Sequence, residues 1–383
     1  MGSNINETLG VWSEWFMLLA AFTYLVAFVA FVWDMASHSK AIGKAQREAE
    51  RHGADSREDS RELVGAGSRG GSVSASATSS GSTAGDDGAR DSAAGHGPSG
   101  RGPVAGEFRT TADARSKGAD EFEALNYKDS ISRPAARAAV VVMAIAFLLH
   151  TFAVVARGIA ADRVPWANMY EFCSTGALVV AGVYLITLIF KDLRFVGPMV
   201  TGLVLLMLCA ATIAFPTPVS PLPPALQSYW LIIHVSIAVA ASGLFTITFA
   251  MAVLQLLQSR REKNLAMGEE TKLGFLRVVP NSTTLENFAF RLNSVGFVFW
   301  TFTLAAGAIW ADQAWGRFWG WDTKEVWTFV IWTVYAAYMH ARVTRGWNGN
   351  RSAWLSIVGY LCVVFNFTVV NVYFPGLHSY SGL

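Results

Sequence analysis

The residues most able to carry chemistry in this chain are histidines and tryptophans. Of its seven histidines, His38, His52 and His96 fall in a polar stretch, while His150, His234, His340 and His378 lie in or beside apolar runs. Ionisable groups in hydrocarbon are costly and usually face an interior or a water-filled path. His234 follows the interfacial aromatic pair Tyr229-Trp230 by about one helical turn. His378 lies just past the last apolar run, in Pro375-Gly-Leu-His-Ser-Tyr380. Two imidazoles thus reach one face from distant segments, and bis-imidazole ligation of haem iron requires such a pair, one on each side of the ring. Either histidine alone reads more readily as an amphipathic anchor or a satisfied polar group; the pair at one depth points to a metal.

Between them runs Trp315-Gly-Arg-Phe-Trp319-Gly-Trp321-Asp322-Thr-Lys-Glu325-Val-Trp327. An aromatic belt needs only scattered rings at interface depth, whereas this run is dense and carries two glycines. Glycine admits close approach of backbone or a flat ligand, and indole faces pack well against a porphyrin plane. Trp315, Trp319, Trp321 and Asp322 are therefore candidate cofactor-binding residues. Arg317 and Lys324 either pair with propionates or sit at the surface. Asp322 also suits the N-cap of the following helix, with Glu325 three residues on. His340 and His150 lie deeper. Each either holds haem in transit or serves a proton relay or helix-helix hydrogen bond.

These residues must be positioned by membrane helices. The chain has 383 residues, 52% hydrophobic and only 15% charged, well below the roughly 25% charge of ordinary soluble domains. Eight apolar segments are expected to span as helices, at 12–34, 135–157, 170–190, 195–214, 229–257, 287–311, 325–343 and 351–373. The first lacks a basic n-region and a cleavage site, so it reads as a span. The predicted fold is an all-α polytopic bundle with a long linker after its first helix. Its divisions are an N-terminal helix at 1–35, a linker at 36–133 and a transmembrane domain at 134–383 bearing the tryptophan-rich loop 312–327. From Gly65 to Gly106 the linker is rich in Gly, Ser and Ala without Phe, Trp or Tyr, a composition expected to stay disordered. Cys173, Cys209 and Cys362 form no CxxC, which argues against a thiol-redox pair, a zinc ribbon or a haem attachment site of the chain's own.

Lysine and arginine near the span ends set the expected orientation. The linker flanks and the connections near 191–194, 258–285 and 342–351 are basic and belong on the cytoplasmic side. Loops 158–169, 215–228 and 312–324 and the tail 374–383 then lie outside, with Arg163 and Arg317 as exceptions. Net charge is +2 and says little about partners; the surroundings expected are a lipid bilayer, and no nucleic acid.

The tryptophan-rich run, the Pro375–Tyr380 tail and the segment Pro165-Trp-Ala-Asn-Met-Tyr-Glu171-Phe, in this order, resemble the CcsA/ResC-type subunit of the system II cytochrome c synthase over residues 135–383. CcmC and CcmF are similar to it more distantly. The resemblance implies cytochrome c biogenesis at the cell (plasma) membrane, with haem b as substrate and apocytochrome c as acceptor. It implies a CcsB/ResB-type partner bearing a large external domain, as part of a holocytochrome c synthase (haem lyase). His234 and His378 would be the external axial ligands. His340, in His-Ala-Arg, would be a transmembrane haem ligand whose second ligand lies on the partner. His150-Thr151 also matches, with a less defined role.

Other readings of the same residues are a haem exporter or chaperone without synthase activity, an ion-coupled transporter, and a membrane cytochrome b. A transporter predicts discontinuous helices and inverted repeats, and no matching halves are seen. A cytochrome b usually sets its histidine pairs inside facing spans, whereas the best pair here is at the surface.

Overall fold

The computed structural model describes residues 5–67, 133–220, 227–269, 273–344 and 347–378. By its contacts the chain divides into a unit of residues 1–43 with 113–383 and a second of 44–112. The described elements are helices α1 (Glu7–Gly67), α2 (Pro134–Ala160), α3 (Met169–Phe190), α4 (Gly197–Cys209), α5 (Tyr229–Ala266), α6 (Ser282–Trp315), α7 (Thr323–Val343), α8 (Asn350–Phe367) and the short α9 (Val369–Tyr373). A π-helical turn, Ala210–Ala214, continues α4. No strand occurs among the described residues.

The chain is a multi-pass membrane protein: among the described residues seven helical segments are long and apolar enough to cross a bilayer. Helix α7, with 21 residues, is the eighth long helix of the bundle; its lysine, histidine and arginine make it less apolar. Two spans exceed expectation. Helix α5 has 38 residues and α6 has 34, against the ~20 that cross the hydrocarbon. Both continue because residues 258–266 and 282–286 hold no Gly or Pro, and Asn281 caps α6 by accepting from Thr284 N at 2.7 Å.

Helix α1 likewise runs beyond a membrane length, to Gly67, so the linker starts later than residue 36. Residues 36–64 are rich in Ala, Arg and Glu, all helix formers. In the second unit Lys44 and Glu48 form an exposed i,i+4 pair at 3.7 Å. The composition of this stretch shifts to Gly and Ser only near Gly65. Of the stretch expected to stay disordered, Gly65 to Gly106, residues 68 onward lie outside the described residues, as does the rest of the linker up to residue 132.

Each end of the bundle is tied by buried charge. At the end bearing the tryptophan loop, Glu171 in the first turn of α3 is fully buried. It accepts from Arg157 Nε on α2 at 3.0 Å and from Arg163 at 2.6 and 3.0 Å. Ala167 N donates to it at 2.8 Å. The same arginines donate onward to the carbonyls of Thr217 and Ser220, at 2.7 and 2.8 Å. Arg163, an exception to the charge rule, is therefore a neutralised structural cation rather than a free surface charge. At the opposite end Glu286 accepts from Arg342 at 2.7 Å, from Gly349 N at 2.7 Å and from Ser352 Oγ at 3.0 Å. Arg133 and Asp34 pair between the start of α2 and α1.

Removing one partner of a buried pair leaves an uncompensated charge. Glu171→Ala strands two guanidinium groups and is expected to cost about 3–5 kcal/mol. Thermal unfolding of the detergent-purified variant checks this; an unchanged midpoint would show that the trio is dispensable.

Candidate functional site

His234 stands in the second turn of α5, against a notch in α6. Its Nδ1 lies 3.0 Å from the carbonyl oxygen of Thr303. A carbonyl only accepts, so Nδ1 carries the hydrogen and the Nε2 lone pair is left for a ligand. Thr303, Gly307 and Trp310 fall at i, i+4 and i+7 and so share one face of α6. A Cβ at Gly307 would come within 2.7 Å of His234 Cε1, so only glycine leaves room for the ring. Trp310 is buried and stacks on His234, centroids 6.0 Å apart and planes 14° apart.

His378 arrives from the chain's other end. Its ring meets Trp310 edge-on at 5.5 Å and Trp315 at 4.7 Å. Its Nδ1 lies 3.2 Å from Asp322 Oδ1, and Leu377 N donates to Oδ2 at 2.8 Å. The same carboxylate caps α7 by accepting from Lys324 N at 3.0 Å. Asp322 and Glu325 complete the expected capping box. Both histidines thus have Nδ1 engaged by a fixed acceptor, the outer-shell arrangement that orients metal-binding imidazoles.

The tryptophan loop is held from within. Glu325 Oε2 accepts from Gly320 N at 2.8 Å and from Asp322 N at 3.1 Å. Between them Trp321 adopts a φ of 60°, a left-handed conformation unusual for a bulky residue. Gly316, at φ 68°, ends α6 in the same region at no steric cost.

One cavity of about 480 Å³ joins these parts, lined among others by Trp166, His234, Trp310, Trp319, Lys324 and His378. That is within the range of small-molecule sites, about 300–1,000 Å³. The wall is mainly apolar, and it runs from the tryptophan loop inward to Phe249 and Tyr360.

The sequence-predicted residues separate here. His234, His378 and Trp319 line the cavity. Trp315 packs on His378, and Asp322 positions it. Trp321 is 77% exposed and outside the lining, touching the site through its edge-on contact with Trp319 at 5.9 Å. His340 is exposed near the end of α7 and is not part of the cavity. His150 is fully buried elsewhere, edge-on to Tyr24 at 5.8 Å; neither ring nitrogen meets full hydrogen-bond geometry, although the Ser174 backbone is close. Lys324 lines the cavity, whereas Arg317 bonds to Gly320 O at 3.4 Å on the rim. Among the described residues no three or more His, Cys, Asp or Glu side chains gather as a metal cluster.

Trp310, Thr303 and Gly307 emerge only from the structure, and Trp166, which the sequence marks only as part of the segment Pro165–Phe172, gains its place on the cavity wall only there. A Thr/Gly/Trp stripe at helical spacing is common in apolar helices. Its one signal is a glycine one turn before an indole, which makes a notch beside a ring.

Residues 135–378 match the family described as cytochrome C assembly protein. The chain belongs to that family. It is similar to the cytochrome c biogenesis protein CcsA of Guillardia theta, 34% identical over 243 residues that make up 59% of this chain and 80% of that one. The Gloeobacter violaceus CcsA is 30% identical, covering 63% of this chain and 85% of its own. The Chlamydomonas reinhardtii CcsA is 32% identical, over 63% and 67%. The role of the chain is in cytochrome c biogenesis. The matched region begins at α2 and ends on His378, so it contains every residue of the cavity wall.

The hydrogen bond from His378, joined by those from the Lys324 and Leu377 amides, holds the Asp322 carboxyl at about 2, below its ordinary 3.8. A depressed acid stabilises the fold above its unfolded value and loses that contribution as pH falls through the folded one. Thermal midpoints are therefore expected to fall as pH drops from about 4 towards 2, and Asp322→Asn is expected to flatten that part of the profile. An identical acid limb in the variant would separate the tail contact from stability.

Proposed function

We propose that this chain binds haem b as its substrate between His234 and His378, and presents it at the outer face of the plasma membrane for attachment to apocytochrome c. The observation that carries the reading is the convergence of these two imidazoles on one apolar cavity, each with Nδ1 anchored and Nε2 left to bind. A planar apolar macrocycle with a central metal suits such a chamber. Trp310, touching both rings, and Trp319, on the wall, offer indole surface to it.

Haem supplies iron for the two imidazoles and vinyl groups for the acceptor. The chain's own contribution is positioning. Thr303 and Asp322 fix the ring orientations, Glu325 shapes the loop, and the apolar wall excludes water. Each thiol of an apocytochrome CxxCH segment adds across one vinyl group. Sulfur bonds to one vinyl carbon and the thiol hydrogen ends on the other, with no net oxidation. The histidine of that segment then replaces one of the two imidazoles on iron.

A CcsB/ResB-type partner completes the reading. His340 is an exposed imidazole on a membrane helix, and such groups usually face an interior or another protein. It suits a second haem position shared with that partner. Trp321, also exposed, extends the loop towards whatever docks above the cavity. A haem exporter or chaperone would present the same cavity without needing the partner. Co-expression separates the two, because a synthase yields holocytochrome only with both chains.

The full chain purified with its partner is expected to show a bis-histidine haem spectrum. His234→Ala combined with His378→Ala is expected to remove it while the protein still inserts. Undiminished haem in that double variant would overturn the ligand assignment. Gly307→Val, which crowds His234, is expected to lower haem retention at least severalfold; retention equal to the parent chain would show that the His234 ring need not sit where it does.

A further inference from the structure

One wall of the cavity is polar, and its chemistry is not used by iron or by vinyl groups. Lys324 and Thr328, one turn apart on α7, face Asn366 at the end of α8 and Asn371 on α9. Lys324 Nζ donates to Asn371 Oδ1 at 2.7 Å. An ammonium has three donors, and among the described residues Lys324 forms no ion pair. Asp322 acts on it electrostatically, but that carboxylate is engaged by His378, Leu377 and the helix cap. A lysine on the wall of an apolar cavity with a neutral amide as partner is a site for an anion.

Beside it are two orphan acceptors. Asn366 Nδ2 donates to Thr328 Oγ1 at 3.2 Å, and Thr328 Oγ1 donates to the Lys324 carbonyl at 2.7 Å. That chain leaves Asn366 Oδ1 buried without a partner. Glu325 spends Oε2 on the loop amides and leaves Oε1 buried without one. Unsatisfied buried acceptors are costly, and both residues line the cavity. The shelf therefore offers one cation and two acceptors that lack a donor.

We infer that this shelf recognises the two carboxyl groups of the porphyrin in unequal protonation states. One is ionised against Lys324, and the other is protonated and donates to Asn366 Oδ1 or Glu325 Oε1. Two ionised carboxylates would share a single lysine, repel one another and leave both orphan acceptors without a donor. One shared proton removes that repulsion and satisfies an orphan acceptor. This rests on the haem-binding reading, and it adds which edge of the macrocycle enters first: the carboxyl edge lies on α7 and α8, which leaves the vinyl edge for the acceptor.

The full chain, stripped of porphyrin in detergent, is titrated with iron protoporphyrin and with its dimethyl ester, each followed by the absorption band. The ester keeps the ring, iron and vinyl groups but can neither ionise nor donate. It is expected to bind roughly tenfold more weakly, the scale of one hydrogen bond to a charged group. Lys324→Met is expected to weaken the acid form by roughly the same factor and to leave the ester unchanged. Equal affinity of the parent chain for acid and ester overturns the shelf, as does a Lys324→Met variant that weakens both alike. If that variant fails to fold, the ester comparison on the parent chain decides alone. Uptake of neither porphyrin by the parent chain would instead overturn the proposed function, and the shelf with it.

Discussion

A polar side chain inside a membrane bundle must have its hydrogen-bonding groups accounted for, because no bulk water is there to satisfy them. This constraint shapes the protein more than any single apolar contact. His234 meets it by giving Nδ1 to the Thr303 carbonyl, which is also what aims the rest of the ring. Glu171 meets it with two arginines and an amide. Glu286 meets it with Arg342, Gly349 and Ser352. The groups that fail it among the described residues are informative: those of Trp166, Trp310, Glu325 and Asn366 belong to residues that line the same cavity.

Structural and functional polar groups can be told apart on this basis. The trio around Glu171 is closed save for one arginine nitrogen, since its carboxylate is saturated and both guanidinium groups reach carbonyls beyond it. It fixes the start of α3 and the path from Arg163 to Phe172, and so delivers Trp166 to the cavity. The shelf on α7 and α8 is open, with donors and acceptors left over. A closed network rigidifies, whereas an open one that lines a chamber awaits a complement.

Much of this was legible from residue order. Helix positions followed from apolar runs of membrane length, because hydrocarbon permits little else. The Asp322/Glu325 box was readable from a three-residue spacing before an apolar segment. That His234 and His378 would lie at one face followed from each lying beside an interfacial marker, and both line one cavity. Burial partners were not legible, since they depend on which helices touch. Arg163 looked like a misplaced surface charge because its partner Glu171 sits in the next helix. Trp310 looked like one more apolar residue until α5 placed an imidazole on it. Trp321 and Trp319 carry the same side chain two positions apart, yet only Trp319 lines the chamber, while Trp321, at a left-handed φ, is 77% exposed. The extent of α1 was missed for a different reason: polarity was read as linker where Ala, Glu and Arg favour helix.

Asp322 serves two masters, the first turn of α7 and the segment that carries His378. A single carboxylate cannot release one without disturbing the other. Withdrawal of the His378 imidazole from Asp322, as the proposed function would require when another ligand replaces it, would free an oxygen and loosen the amides at the start of α7. Ligand exchange at the metal would thus register as fraying of a helix end some distance along the chain, visible as faster hydrogen exchange there, and the helix end in turn would set how readily the imidazole lets go.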